Sequence, residues 1–143
     1  MGKAEAQYVI VAGCGRLGAH VAGELSRAGH SVVVVDLDEK RFALLPVEFG
    51  GFRLEGDATE VAVLKQAKAD KADRLIAVTS DDNVNLVVAE IGRNVFQIPL
   101  VFARVSDPQR EAIFRELDVH TVCPLTLAAG DLLARLLQPG EEG

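Results

Sequence analysis

At 143 residues the chain has the usual size of one domain and is long enough to bury a substantial core. Its 49% hydrophobic and 5% aromatic residues, with a mean hydropathy of +0.20, exclude a disordered chain and describe an interior of Val, Ile, Leu and Ala. A net charge of −6 without any Lys/Arg cluster excludes a nucleic-acid partner, which needs a basic surface to release counterions.

Short β-branched runs alternate with helical patterns along the chain. Tyr8–Ala12 reads as the first strand, and a helix over 16–28 places Val21, Leu25 and Ala28 on one face. A strand at 31–35, a helix at 38–46, a strand at 51–54 and a helix at 59–69 follow. The fourth strand is 74–78, and the helix at 82–96 sets Val84, Val87, Val88, Ile91 and Val95 on one face. A strand at 100–103, a helix at 107–117 and a strand at 119–122 lead to a last helix at about 125–137.

Strands that are apolar throughout, separated by crossover helices, describe a parallel sheet covered on both faces. The expected fold is α/β: a Rossmann-type, doubly wound, six-stranded parallel sheet in the order 3-2-1-4-5-6. No linker or repeat divides the chain, so residues 1–143 are expected to form one domain with flexible ends at 1–7 and 138–143. The apolar runs are too short to span a bilayer, and the N-terminus MGKAEAQ lacks a signal-peptide core. The expected location is cytoplasmic, with no direct membrane insertion. Cys14 and Cys123 fit a reducing compartment or tolerated buried thiols, and His20, His30 and His120 show no metal-ligand spacing. Neither a metal nor a catalytic residue is expected.

The chemistry concentrates after the first strand. Gly13, Gly15 and Gly18 have G-x-G-x-x-G spacing between a strand and a helix, the context this motif requires. Gly13 permits the turn, Gly15 lets backbone approach a pyrophosphate, and Gly18 lets the helix pack on the strands. The helix N-terminus then offers free N–H groups to the phosphates. Asp36 ends the second strand eighteen residues past Gly18, where a carboxylate accepts hydrogen bonds from a ribose and repels a 2′-phosphate, which disfavours NADP. Cys14 and Leu17 within the loop, and Leu37 beside Asp36, belong to the same candidate cleft.

Further along, Asp57, Ala58 and Thr59 lead to Glu60, an arrangement that suits an N-cap with or without an adenine contact. Thr79, Ser80 and Asp81 follow the fourth strand at the switch point, where ligand contact and helix capping are both open. Arg16 lies inside the glycine loop, and Arg104 leaves the fifth strand before a Ser106/Gln109 capping box. Either arginine is a phosphate contact or a surface residue.

Taken in order, VIVAGCGRLGAHVAGEL, VVVVD, GDAT, AVTSDDNVN, ARVSDP and VCPLTLAAGDLLARLL resemble the nucleotide-binding N-domain of potassium-transport regulators. These are the RCK or KTN (TrkA-N type) domains of Trk- and Ktr-type uptake systems, potassium channels and Kef-type antiporters. The resemblance covers residues 8–137, and GDAT with the arginine after the fifth strand is more specific than the glycine loop. It implies binding of NAD(H) or ATP/ADP, assembly into homodimers or rings, and control of a membrane potassium channel or transporter subunit. It also implies a cytoplasmic protein held peripherally at the inner membrane through that partner. By the same resemblance Gly13, Gly15 and Gly18 would hold phosphates and Arg16 a terminal phosphate. Asp36 would bind ribose, Asp57 and Ala58 would border adenine, and Thr79 and Arg104 would line the cleft. Such regulators often carry a further small C-terminal domain, whereas this chain ends in Glu-Glu-Gly as either an excised fragment or a short natural subunit.

Two functions follow. A regulatory module needs only different ligand affinities in two states. The alternative, an NAD-dependent oxidoreductase subunit lacking its substrate domain, also needs a substrate pocket and an acid or base, usually built by residues this chain does not have. The regulatory module is the expectation, and NAD(H) and ATP/ADP both remain open as its ligand. The final helix adds a partner. Pro124 suits its first turn, and Leu125, Ala128, Ala129, Leu132 and Leu136 form a stripe that Leu133 and Leu137 widen. Leu127 and Ala134 lie nearly opposite, more apolar surface than one sheet face needs, which points to self-association.

Overall fold

Strand β1 (Tyr8–Ala12) is the axis of the molecule: Val9, Ile10, Val11 and Ala12 are buried on both faces. It pairs in parallel with β2 (Ser31–Asp36) on one side and β4 (Arg74–Ala77) on the other. Beyond them lie β3 (Phe52–Glu55) and, on the far side, β5 (Leu100–Arg104) and β6 (His120–Val122). The computed structural model describes residues 5–139, and its sheet has the expected all-parallel order β3-β2-β1-β4-β5-β6. Alternate residues of the central strands feed two separate cores. Ile10, Ala12, Val33 and Val35 face Leu64 and Val88, whereas Val9, Val11, Val32 and Val34 face Ala19, Ala22 and Phe49. Of the ends expected to be flexible, 1–4 and 140–143 lie outside the described residues, while Gln7 is tied by its N–H to His30 Nδ1 at 2.9 Å.

The helices depart from expectation where tertiary contacts override local pattern. α1 (Arg16–Arg27) buries Gly18, Ala19, Ala22 and Gly23, a stripe of small residues that brings it close to the sheet. Val21 and Leu25 are only half-buried and Ala28 is exposed. The helix expected at 38–46 is a 3-10 segment, Glu39–Leu44, opened by the Asp38 carboxylate and stopped where Pro46 forces Leu45 into extended backbone. α2 (Val61–Gln66) is shorter than its expected span, because the Asp57 carboxylate accepts from Thr59 and makes a turn rather than a helix cap. α3 (Asp82–Glu90) runs into a π-turn at Ile91–Val95, which sets Gly92 against Leu75 so tightly that a Cβ there would lie 2.4 Å from Leu75 Cδ2. Its buried face is Asp82, Asn85, Val88 and Ala89, while Val87 and Val95 of the expected face are exposed. α4 (Glu111–Glu116) follows a 3-10 turn capped by Asp107, not by the expected Ser106/Gln109 box.

The last helix is α5 (Pro124–Leu136). Its leucines exceed what one sheet face needs, and in this chain alone none of its residues is buried. Its Asp131–Arg135 ion pair forms at 3.4 Å. Among the described residues no helix is long and apolar enough to cross a membrane.

At the start of α1, a Cβ on Gly18 would stand 1.9 Å from the Gly13 carbonyl oxygen, a backbone atom that cannot swing away. Gly18→Ala should therefore destabilise the domain by at least about 1–3 kcal/mol, as overpacking does. Urea unfolding should show a lower midpoint at unchanged slope; an unchanged midpoint would mean that α1 shifts freely.

Candidate functional site

β1 ends in a turn that only glycine makes easily: Gly13 has φ +112°, and its N–H donates to the Val35 carbonyl at 2.8 Å. A Cβ there would also press to 2.8 Å from the Thr79 amide nitrogen. Gly15 is different. Its φ of −88° suits any residue, and a Cβ on it would meet nothing within 4 Å. Gly15 is the N-cap of α1, and no side chain caps this helix, so its first N–H groups and the positive end of its dipole face outward.

The cleft in front of this loop has a volume of about 450 Å³ and runs along the carboxyl ends of β1, β2, β4 and β5. Its lining brings together residues that the sequence singled out: Gly13, Cys14, Gly15, Arg16, Leu17, Asp36, Leu37, Asp57, Ala58, Thr79, Ser80, Asp81 and Arg104. Gly18 does not line it, and instead packs behind the loop against Gly13 and Val78.

Asp36 braces the loop. Its Oδ2 accepts from the Cys14 N–H and its Oδ1 from the Asp38 N–H, each at 2.8 Å. A carboxylate has about four lone-pair sites, so capacity remains for a ligand hydroxyl. Burial, and secondarily the Asp36 charge, push the Cys14 thiol up, with Arg41 and Arg53 opposing. Cys14 is thus a neutral small residue of the wall rather than a thiolate. Two bonds from Thr59, at 2.6 and 2.9 Å, hold the Asp57 carboxyl below the usual carboxylate range.

Across the cleft, Asn85 joins β4 to β5. Its Oδ1 accepts from the Thr79 N–H (2.9 Å) and hydroxyl (2.7 Å), and its Nδ2 donates to the carbonyls of Thr79 and Arg104, both at 3.0 Å. Asn85 is fully buried and satisfied. The Arg104 Nε is buried without a hydrogen-bond partner among the described residues, an open valence that a ligand acceptor on the cleft wall would fill.

Several residues were missed by sequence. Arg41, whose Nε lies 3.9 Å from Asp36 Oδ1, lines the cleft with Asp38 and Val84. A cation five residues past Asp36 was a usable signal for Arg41. None existed for Asn85, since an Asn inside a helix pattern reads as an interruption. The expected Thr79–Asp81 segment does both: all three residues line the cleft, and Asp81 also caps α3 by accepting from the Asn83 and Val84 N–H groups. No group of three or more His, Cys, Asp or Glu among the described residues is placed to hold a metal ion.

With this geometry in view, the family model described as the TrkA-N domain matches residues 9–124. The chain belongs to the TrkA-N domain family. The Trk system potassium uptake protein TrkA of Streptomyces coelicolor is 36% identical over 135 residues, which is 94% of this chain and 60% of that protein. This TrkA-N domain therefore spans about three-fifths of the length of that relative. Among solved structures, the AMP-bound Kef CTD of Shewanella denitrificans superposes with a TM-score of 0.76 at 24% identity, covering 94% of this chain and 83% of that one. The GsuK channel bound to NAD gives 0.74 at 22% identity, covering 94% and 24%. Both share the fold of this TrkA-N domain.

Asp82 anchors the segment that follows Arg104. Burial alone would raise its pKa, but bonds from the Ser106 N–H (2.9 Å) and hydroxyl (2.8 Å), the Asp107 N–H and the Arg110 charge outweigh it and hold the carboxyl low. A depressed carboxylate stabilises the fold above its unfolded pKa of about 3.9, and that contribution is lost as pH falls through the lower folded value. Asp82→Asn should lose about 1–3 kcal/mol at neutral pH. The gap to the parent should close below about pH 4; a gap independent of pH in denaturant titrations would show that the charge is not what matters.

Proposed function

We propose that this TrkA-N domain binds an adenine nucleotide, NAD(H) or ATP/ADP, in the cleft at the carboxyl ends of the strands, and that it serves as the nucleotide-sensing part of a potassium-transport assembly. Gly15 carries the proposal. Gly13 and Gly18 are glycines because the fold leaves no room for a Cβ, whereas at Gly15 neither backbone angle nor neighbouring atom demands one. A helix N-cap gains more from Ser, Thr, Asp or Asn. A glycine there is explained by close approach of phosphate oxygens to the backbone.

In this arrangement Gly13, Gly15 and the N–H groups opening α1 hold the phosphates, with Gly18 setting the helix from behind. Arg16 reaches a terminal phosphate, Asp36 takes the ribose, and Asp57 and Ala58 border the adenine. Thr79 and Arg104 close the inner wall, where the unpaired Arg104 Nε awaits an acceptor. The nucleotide supplies a charged, rigid link between walls built by β1, β2, β4 and β5. Support comes from the nucleotides named for the Kef CTD and GsuK structures and the potassium-uptake role named for the Streptomyces relative. The domain acts by binding rather than turnover, in the cytoplasm and beside a membrane transport subunit.

Gly15→Val puts a side chain into the space reserved for phosphate, with a Cβ that meets nothing within 4 Å. It should leave the unfolding temperature close to that of the parent and weaken NADH, ATP and ADP binding at least 100-fold, roughly the loss of 2.7 kcal/mol. Calorimetry showing equal affinities in variant and parent would remove the loop from the site.

Self-association through α5 belongs to the same proposal. Leu125, Leu127, Leu132, Leu133, Leu136 and Leu137 are 54% to 74% exposed, apolar side chains clustered on one short helix in the way that marks an interaction surface. A nucleotide that favours one arrangement of such an assembly over another shifts the population toward it. Light scattering should show a dimer or larger ring for the parent and a monomer for Leu132→Glu/Leu136→Glu. A monomeric parent at tens of micromolar, with and without nucleotide, would contradict this part.

A further inference from the structure

A second cavity of about 500 Å³ lies on the α2 face of the sheet, beside edge strand β3 and away from the glycine loop. That volume is within the ~300–1,000 Å³ range of small-molecule pockets. Its walls are apolar: Val33, Leu54 and the ring of Tyr8, with Phe52 at the mouth. Phe52 is 75% exposed on a strand with no neighbour on its outer side. The Tyr8 hydroxyl donates to the carbonyl of Ala67, another lining residue, so its donor is already used within the wall.

The rim has the opposite chemistry. Arg53, Lys68 and Lys71 line the cavity, and no carboxylate does, in a chain whose net charge is −6. Neither lysine is in an ion pair among the described residues. Arg53 is engaged on the opposite face of the sheet, over the Phe49 ring at 5.0 Å, which leaves the two lysines as the available cations. Asp70, between them in sequence, is absent from the lining, although its charge reaches the Tyr8 hydroxyl.

An apolar chamber with a cationic rim is complementary to a molecule with an apolar tail and one anionic head. The rim follows the carboxyl end of α2, whose carbonyls disfavour a doubly charged phosphate more than a single carboxylate. The rim also lacks the run of backbone N–H groups that phosphate sites use. We propose that this cavity is a second ligand site, for a monocarboxylate with an unbranched apolar tail, in which Lys68 and Lys71 hold the head and Val33, Leu54, Tyr8 and Phe52 enclose the tail. The proposal does not rest on the nucleotide assignment, since the two sites share no lining residue.

The test is a titration of the ¹⁵N-labelled domain with hexanoate, octanoate and 1-octanol, followed by amide shifts. Octanoate should bind saturably, with shifts centred on 52–54 and 66–71. Each methylene added from hexanoate to octanoate should tighten binding up to about fourfold. Octanol, matched in length but uncharged, should bind more weakly, by up to about fivefold for each ion pair lost. Lys68→Gln/Lys71→Gln, two exposed changes, should bring octanoate down toward the octanol level without moving the unfolding midpoint. The proposal is overturned if no saturable shift occurs at those residues, if octanol matches octanoate, or if the double variant binds octanoate as the parent does.

Discussion

Nothing larger than a hydrogen fits between Gly18 and the carbonyl of Gly13, and the position of α1 follows from that contact. It brings the first turn of the helix directly onto the end of β1, so that the uncapped N-terminus and the loop face the same space. The Asp36 carboxylate completes the brace by accepting from the Cys14 amide at the tip of the loop. Close packing, turn geometry and one charge-assisted hydrogen bond together fix the uncapped N–H groups of the first turn of α1 in front of a gap that the chain itself does not fill.

The opposite wall is held by a different device. β4 and β5 end side by side, and the two polar residues on the buried face of α3 fasten what comes after each. Asn85 fastens Thr79 to the carbonyl of Arg104, and Asp82 fastens Ser106 beyond it. Burying an amide and a carboxylate is unfavourable unless each is satisfied. Here they are, and in exchange the Arg104 backbone is immobile while its guanidinium keeps an unspent donor. A rigid backbone beneath a long cation is a sound base for recognising an anion.

Most of this frame could be read from the chain because its determinants are local. β1 and β2 are β-branched runs buried on both faces, and β4 is a short run, Leu75 to Ala77, beside β1. The glycine spacing marks the loop, and Asp36 closes β2 within reach of it. What could not be read depends on contacts distant in sequence. Val87 and Val95 look like part of the core face of α3, yet they are exposed, and the bonds to β4 and β5 turn Asp82 and Asn85 inward. The π-turn exists because Gly92 must nestle against Leu75, which no periodicity reveals. α5 carries enough leucine to predict a partner, but whether the sheet or another molecule would cover it is not encoded within the helix. The cavity beside β3 is assembled from four separate segments, so its apolar walls and cationic rim are invisible until the sheet forms.

The central claim is that the gap in front of Gly15 is kept for the phosphates of an adenine nucleotide. Native mass spectrometry of the purified domain tests it most directly, both as isolated and after incubation with NAD, NADH, ATP, ADP or AMP. The account predicts one nucleotide mass per chain, retained in the parent and absent in Gly15→Val. A parent that holds none of these nucleotides, or a variant that retains them equally, would contradict it.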